Sequence, residues 1–434
     1  MSIKPSLIIA NKQLDTTIPY VIVYNTKSIL SRIAHNYYKK PSHKLEIIAT
    51  TGTDGKTTTS TIIQSLFNLY TECAYIGTNG FKTKYYEIPT LFTTPKPTYL
   101  HKYLLRCLND KIPFVSLEAS SQGINEHRLD DVRITSAVFT NLTHEHLDYH
   151  GTLDSYFNCK LQVFKRLPET GFAIINLDQE EYANKIMSET KAKIITYGTH
   201  PKAMFRFETI KTSFEQTTFT LVTPNKTYKN VKMNLFGDYN VYNVVAALAV
   251  IYAYGFDLDL AVKKLRALDP IEGRMVMIDT YEGFKVIIDF AHTPNALQSL
   301  LSNIRRVNPN GRLILVFGSA GERDPTKRPF MGQIADKWCD KLFITNEDPK
   351  SEDPIDIIED IYEGIQNPFK TEIILDRKEA IKKAIHFADP NDIVVITGKG
   401  NENIQQFKDY NITHNDIAIS METLNLRPRL FRFI

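Results

Sequence analysis

The chain of 434 residues carries 52 Lys and Arg against 49 Asp and Glu, a formal net charge of +3, and is 43% hydrophobic. That length allows two or three domains with real cores, and the near balance of charge excludes a general attraction to nucleic acid or to an acidic membrane. No apolar signal core stands near the N-terminus, no window suits a membrane span, and Cys73, Cys107, Cys159 and Cys339 lack CxxC spacing, so a reducing, cytoplasmic setting is expected rather than a disulfide or zinc framework.

In chain order, residues 1–44 predict one strand at Tyr20-Val21-Ile22-Val23 and one helix near Ile29 to Tyr38, too little for a core of their own. From 45 to about 200, the apolar runs EIIA, IPFVSLEAS, SAVFTNL, GFAIINLD and KIITYG alternate with helical stripes, which predicts a largely parallel sheet. Residues 203–237 alternate with period two around a Pro224-Asn225 turn and predict antiparallel hairpins; DYNVYNVVAALAVIYAYG then reads as a helix. Near Pro270 to Arg274 the pattern restarts, and FKVIIDF, RLILVFG, KLFIT, EIILD and DIVVITG are separated by helix-length segments. The expected fold is α/β, with a P-loop-type, mostly parallel sheet domain over residues 45–270 and a Rossmann-like domain over 271–434. A short segment, 1–44, precedes them, and the ligand cleft is expected between the sheet domains.

The stretch ATTGTDGKTTTSTI, residues 49–62, reads as strand, tight loop and helix, the helix continuing through Ile62, Ile63, Leu66 and Leu69. Unpaired N–H groups at such a helix start attract phosphate, and Gly52 and Gly55 let the backbone come close. Lys56 would meet terminal phosphates and the Thr57 hydroxyl would hold Mg²⁺. The generic loop has Gly five residues before Gly55, where this chain has Thr50.

Two strands end in polar clusters: VSLEASSQG delivers Glu118, Ser120 and Ser121, and AVFTNLTHEHLDYHG delivers Asn141, His144, His146 and Asp148. Glu118 beside a phosphate loop is a candidate Mg²⁺ ligand; its plain alternative is a solvated strand end. His144-Glu145-His146-Leu147-Asp148 also resembles the HxHxD zinc run of metallo-β-lactamase-like hydrolases, but Tyr149 stands where that run has His, and such a zinc metallo-hydrolase leaves GTDGKTTT unexplained. Lys160 shares a helix face with Tyr156 and Val163, beside Phe157, Leu161 and Phe164. A lysine bordering an apolar stripe ordinarily snorkels outward. The chemical alternative is a carbamate, formed from the uncharged amine and CO₂, whose oxygens can ligate Mg²⁺. Further on, IIDFAHTPNAL, VFGSAGERDPTKRP, FITNEDPKSEDP and VITGKGNENIQ each pass from strand to polar loop. Arg323, Lys327, Arg328, Lys350 and Lys399 put positive groups there, suited to carboxylates or phosphates.

From about residue 45 to its end the chain resembles the Mur ligases, in particular their UDP-N-acetylmuramoyl-tripeptide synthetase branch, which adds the third amino acid to the cell-wall peptide precursor. The resemblance rests on TGTDGKTT, FTNLTHEHLDYHGTLDSYFNCKLQVF, GDYNVYNVVAA, EGRM, DFAHTPNAL, GERDPTKRP, EDPKSEDP and GKGNENIQ, in family order. It implies that ATP and Mg²⁺ convert a substrate carboxylate to an acyl phosphate, which an amine captures as an amide. It also implies an ATP site of Gly52, Thr53, Asp54, Gly55, Lys56, Thr57, Thr58, Asn240, Asn243, Arg274, Asp289 and His292. Catalysis falls to Lys56, Glu118, His146 and a carbamylated Lys160, with Thr57, Glu118, His146 and Lys160 around the metal. Thr93, Thr94, Ser121 and Arg128 match positions that hold the muramoyl-dipeptide, and Arg323, Glu347, Asp348, Lys350, Gly398 and Glu402 positions that receive the amino acid. The implied partners are a nucleotide-sugar peptide and an amino acid, and a monomer is expected.

The sequence departs from the family pattern at several points. Glu347-Asp348-Pro349-Lys350 replaces the Asp-Asn-Pro-Arg of diaminopimelate-adding members, and Lys lacks the two-bond fork of Arg. The added residue therefore stays open among diaminopimelate, lysine, ornithine or another amine. Gln122 stands for a usual His, Glu126 for Gln, Glu145 for Asp and Asn401 for His. Residues 1–44 resemble only the last strand and linking helix of the family's UDP-binding domain. The carrier is then held chiefly through its sugar-peptide part, or the acceptor is a different carboxylate, of pseudomurein or γ-glutamyl type.

Overall fold

The computed structural model describes residues 5–269 and 271–425, and the backbone of 432–433. The change of pattern expected at Pro270 lies outside the described residues. The chain forms two compact units, one of Met1–Asn141, Phe157–Phe205 and Val244–Ala261, the other of Leu142–Tyr156, Arg206–Asn243 and Val262–Ile434.

The first unit opens with a parallel pair, β1 (Ile8–Ala10) and β2 (Tyr20–Ile22), followed by the helix Thr26–Tyr37. Sequence reading missed β1, because three residues are too few to show a period, and started the helix too late. The start is set by a cap: the Asn25 side chain accepts the N–H groups of Lys27 and Ser28.

The main strands are β3 (Glu46–Thr51), β4 (Cys73–Gly77), β5 (Gly80–Lys82), β6 (Glu87–Ile88), β7 (Phe114–Glu118), β8 (Ser136–Phe139), β9 (Phe172–Asn176) and β10 (Lys193–Gly198). They lie in the order β10-β9-β8-β3-β7-β4-β5-β6. The six from β10 to β4 are parallel, and the short β5 and β6 turn antiparallel at one edge. Ile47, Ile48 and Ala49 are fully buried, as expected of a parallel strand covered on both faces. The chain passes from β3 over β7 to β4, and later returns to place β8 on the opposite flank of β3. The carboxyl end of β3 is therefore a topological switch point, where ligands of doubly wound sheets gather.

The second unit contains the antiparallel strands β11 (Phe205–Thr212), β12 (Thr217–Val222) and β13 (Thr227–Met233), the last two joined across Pro224-Asn225 as anticipated. The helix Asp238–Ala253 follows. A further sheet has β14 (Val276–Asp279), β15 (Lys285–Asp289), β16 (Leu313–Phe317), β17 (Lys341–Ile344), β18 (Thr371–Ile373) and β19 (Ile393–Thr397) in the order β18-β17-β16-β19-β15-β14. The five predicted runs are all strands; β14, antiparallel to β15, was not foreseen. Residues pointing to one face, such as Leu315, Phe317 and Leu342, pack with the helices Pro294–Val307, Arg328–Trp338 and Pro354–Tyr362, while Ile314, Val316 and Phe343 pack with Arg377–Phe387 and Asp416–Thr423.

That second face encloses a wholly buried ion pair. Arg377 donates to Asp416 at 2.9 and 2.7 Å and to the Thr397 carbonyl at 2.7 Å, and His414 Nε2 lies 2.7 Å from Asp416. Burial alone pushes the Asp416 carboxyl up, but Arg377 outweighs it and holds the group at about 2. Asp416→Asn leaves Arg377 buried without its counter-charge and should cost about 3–5 kcal/mol in urea unfolding. In the parent protein the pair's contribution should be complete above the unfolded value near 3.8 and fade as pH falls towards 2.

Candidate active site

In the first unit the site is built around the loop between β3 and the helix Lys56–Phe67. Gly52 sits at φ +152°, and a Cβ there would come within 1.8 Å of Thr140 Oγ1. The loop lies directly on the end of β8. The N–H groups of Thr53 and Asp54 donate to the Asn141 carbonyl and side-chain oxygen, each at 2.9 Å, and Thr140 Oγ1 donates to the Asp54 carbonyl at 2.7 Å. Gly55, at φ +82°, caps the helix without a side chain. The first-turn amides around Lys56, Thr57 and Thr58 thus form a ready anion site. Lys56 Nζ folds back to donate to the Gly52 and Thr53 carbonyls at 3.2 and 2.7 Å.

Lys160 does not snorkel. It is buried in the helix Leu153–Lys165, and its Nζ donates to the same Gly52 carbonyl at 2.8 Å. Burial, and then the neighbouring Lys56 charge, drive its pKa well below the ordinary lysine value. The amine is held where the uncharged, nucleophilic form is favoured.

Glu118 is not a solvated strand end either: it is fully buried at the end of β7. Its carboxylate accepts from Thr57 Oγ1 at 3.0 Å, Thr78 N at 3.0 Å, Thr78 Oγ1 at 3.3 Å and the Tyr75 hydroxyl. The hydroxyl of Thr57 and the carboxylate of Glu118 form a hard oxygen pair beside the anion site, which suits Mg²⁺ with phosphate as co-ligand. Tyr75 and Thr78 escaped sequence reading because they belong to β4 and its turn, a strand the periodicity had not revealed.

The predicted acceptor residues adjoin this centre. Thr93 Oγ1 is 3.1 Å from Thr78 Oγ1; Thr94 Oγ1 donates to the Glu118 carbonyl at 2.7 Å and accepts the Ser120 N–H at 2.9 Å. Ser121 begins a short helix, and its carbonyl accepts Cys159 Sγ–H at 3.2 Å. Arg128 Nη1 reaches the Thr94 carbonyl at 2.6 Å, its guanidinium lying 4.4 Å from the Phe92 ring centre.

In the second unit, His144, Glu145 and His146 point to different partners. His144 Nε2 is 3.0 Å from Thr326 Oγ1, Glu145 is buried against Lys327 Nζ at 2.9 Å, and the His146 ring, at φ +59°, lies 5.8 Å from that of Tyr156. The HxHxD zinc set is therefore not assembled, and among the described residues no group of three or more His, Cys, Asp or Glu is arranged to hold a metal. Asn240 Nδ2 donates to the Phe236 carbonyl at 2.8 Å and Asn243 Nδ2 to Asn240 Oδ1 at 3.0 Å. Asp289 accepts the N–H groups of Met275 and Ala291 at 2.8 Å. Burial raises its carboxyl, with Arg274 opposing. Arg274 stacks 4.5 Å from the Phe290 ring, and His292 Nδ1 lies 2.8 Å from the Phe290 carbonyl. Arg274, Asp289 and His292 thus meet around one turn.

The polar loops after β16, β17 and β19 also converge. Lys399 Nζ donates to Asp348 and Glu402, both at 2.8 Å. Glu347 is buried so close to Gly398, φ +109°, that a Cβ there would lie 2.6 Å from its Oε2. Burial raises the Glu347 carboxyl, against the pull of Lys327, Lys399 and Arg377. Lys350 lies 4.0 Å from Glu322, and burial, then Arg323, lower its pKa. No helix among the described residues is long and apolar enough to cross a membrane.

Residues 50–251 match the Mur ligase middle domain and residues 273–400 the Mur ligase glutamate ligase domain. The chain is 34% identical over 424 residues to a UDP-N-acetylmuramoyl-L-alanyl-D-glutamate–2,6-diaminopimelate ligase of Syntrophomonas wolfei, covering 96% of this chain and 86% of that one. It is 36% identical to UDP-N-acetylmuramyl-tripeptide synthetase 2 of Oceanobacillus iheyensis, covering 93% and 83%. Among solved structures, a UDP-N-acetylmuramoyl-L-alanyl-D-glutamate–2,6-diaminopimelate ligase superposes with a TM-score of 0.66 at 33% identity, over 96% of this chain and 86% of that one. The folylpolyglutamate synthase of Mycobacterium tuberculosis, in complexes with ADP and AMPPCP, shares the fold with a TM-score of 0.73 at 15% identity, over 92% and 96%.

Because any side chain at position 52 collides with Thr140, Gly52→Ala should weaken binding of a nucleoside triphosphate roughly tenfold or more in titration calorimetry. Unchanged affinity would show that the loop does not approach phosphate in this way.

Proposed function

The chain belongs to the Mur ligase family, and we propose that it is the ATP-dependent ligase that joins an amino acid to UDP-N-acetylmuramoyl-L-alanyl-D-glutamate. In the cytoplasm it adds the third residue of the peptidoglycan stem through an acyl phosphate. The observation that carries this reading is the convergence of the Gly52–Thr58 loop, buried Glu118 and buried Lys160 at the switch point of the first sheet, in a chain 34% identical to a diaminopimelate ligase over 96% of its length.

In this reading the helix-start amides and Lys56 bind the ATP phosphates, and Thr57 and Glu118 are the residues that would hold Mg²⁺. A metal held there would supply positive charge to the phosphates as they are transferred. Asn240, Asn243, Arg274, Asp289 and His292 hold the nucleotide and its turns. Thr93, Thr94, Ser121 and Arg128 fix the acceptor so that its side-chain carboxylate meets the terminal phosphate; once phosphate is transferred, the amine attacks the acyl carbon and inorganic phosphate departs. Positioning supplies much of the acceleration, since three substrates must be aligned. Arg323, Glu347, Asp348, Lys350, Gly398 and Glu402 receive the amino acid. Lys160 fits carbamylation, which requires an uncharged amine, and its depressed pKa supports that chemistry. The carbamate would give this corner an anion in place of a neutral amine.

The test is phosphate release from ATP and Mg²⁺ with UDP-N-acetylmuramoyl-L-alanyl-D-glutamate and a panel of diaminopimelate, lysine and ornithine. One amine should give both phosphate and a new amide by mass spectrometry; phosphate release indifferent to every amine, with no amide, would overturn the reading. Lys160→Ala should lower kcat about 100-fold or more, as loss of a fixed electrostatic group does, and short carboxylates such as formate should restore part of it. Full activity of that variant would exclude the carbamate.

A further inference from the structure

Arg128 already holds an anion before any substrate arrives. Its Nε and Nη2 donate to Glu126 Oε2 at 3.1 and 2.5 Å, and its Nη1 donates to the Thr94 carbonyl. The arginine side chain is 8% exposed, whereas Glu126 is 30% exposed and its other oxygen, Oε1, accepts from Lys27 Nζ at 3.2 Å. The carboxylate therefore bridges two cations, one buried in the acceptor region and one at the surface on the helix Thr26–Tyr37. That helix is tied to the same stretch by three further links. Asn25 Nδ2 lies 3.0 Å from His127 Nε2, the Asp131 N–H donates to Ser31 Oγ at 3.3 Å, and Arg32 pairs with Asp131. His127 in turn is 2.7 Å from Asp130.

The acceptor ends in a glutamate with two carboxylates, and only one can become the acyl phosphate. The other remains charged and needs a cation. The Nε/Nη2 edge of Arg128 already holds the Glu126 carboxylate and cannot take a second carboxylate bidentately until that anion leaves. We propose that Glu126 is a stand-in counter-ion for Arg128, displaced by the acceptor's unreacted carboxylate and received by Lys27, so that Glu126 and Lys27 together set the affinity for the acceptor. The exchange swaps one anion for another on Arg128, so the buried guanidinium is never left unpaired. It also gives the N-terminal segment a part in acceptor recognition through Lys27 rather than through contact with the nucleotide. This inference rests on the ligase reading and on Arg128 facing the acceptor.

The experiment is steady-state kinetics with UDP-N-acetylmuramoyl-L-alanyl-D-glutamate varied at saturating ATP and amine. Glu126→Gln keeps the shape and removes the competing charge; the KM for the acceptor should fall about five- to tenfold with kcat changed less than about twofold. Lys27→Ala removes the receiver and should raise that KM about threefold, and the effect should vanish in the Glu126→Gln background, as a cycle of coupled residues requires. Lys27 is 60% exposed, so its substitution tests the idea even if Glu126→Gln folds poorly. An unchanged or raised KM in Glu126→Gln, or a Lys27→Ala effect that persists in the double variant, would overturn the inference and leave the ligase intact. Absence of amide formation by the parent protein would overturn the ligase reading and this inference with it.

Discussion

The Gly52 carbonyl accepts hydrogen bonds from two lysines, and the chemistry of the first unit follows from that single convergence. A carbonyl can serve both Lys56 and Lys160 only if the backbone turns it inward, which the positive φ of Gly52 permits. Two ammonium groups on one oxygen, one of them wholly buried, repel each other. Burial, and then the Lys56 charge, push the Lys160 pKa well below the ordinary lysine value, so the site sets a lysine suited to phosphate beside an amine inclined to lose its proton. The same backward turn starts the next helix with its amides unsatisfied and delivers Thr57 to Glu118.

The second unit manages charge differently. Buried or half-buried acids are each met by a cation from another segment: Asp416 by Arg377, Asp348 by Lys399, Glu145 by Lys327. Such pairs add little net stability against an apolar core, yet removing either member is costly. Their worth here is geometric, since each pins one segment to another. The positions of Glu347 and Gly398 are thereby fixed relative to each other, near enough that only glycine fits at 398.

Much of this was legible in the chain itself, because the parallel strands are continuous apolar runs and the loops after them are abruptly polar. The loop at Gly52, the acid at Glu118 and the five strands of the C-terminal sheet announce themselves in that way. Burial of Lys160 did not: one helix turn shows which residues share a face, but not that a second element covers it. Tyr75 and Thr78 were hidden for a related reason, since β4 is a five-residue strand with no alternation to mark it. The helix of the N-terminal segment was started too late because an apolar stripe cannot register the capping of its first turn by Asn25. The divergence of His144 and Glu145 from His146 depends on residues some 180 positions away, Thr326 and Lys327, beyond any local pattern.

Strand order also governs when the loop can mature during synthesis. Asp54 is fastened to Asn141, 87 residues later, and Asn176 in turn holds the Thr140 carbonyl at 2.7 Å. A nascent chain that has just released β3 from the ribosome lacks both clasps, so its glycine-rich segment samples many shapes until β8 and β9 have been added alongside. Nucleotide capture is in this sense a late event of translation, and a ribosome paused between β7 and β8 displays a sheet whose middle strand is still bare on one flank.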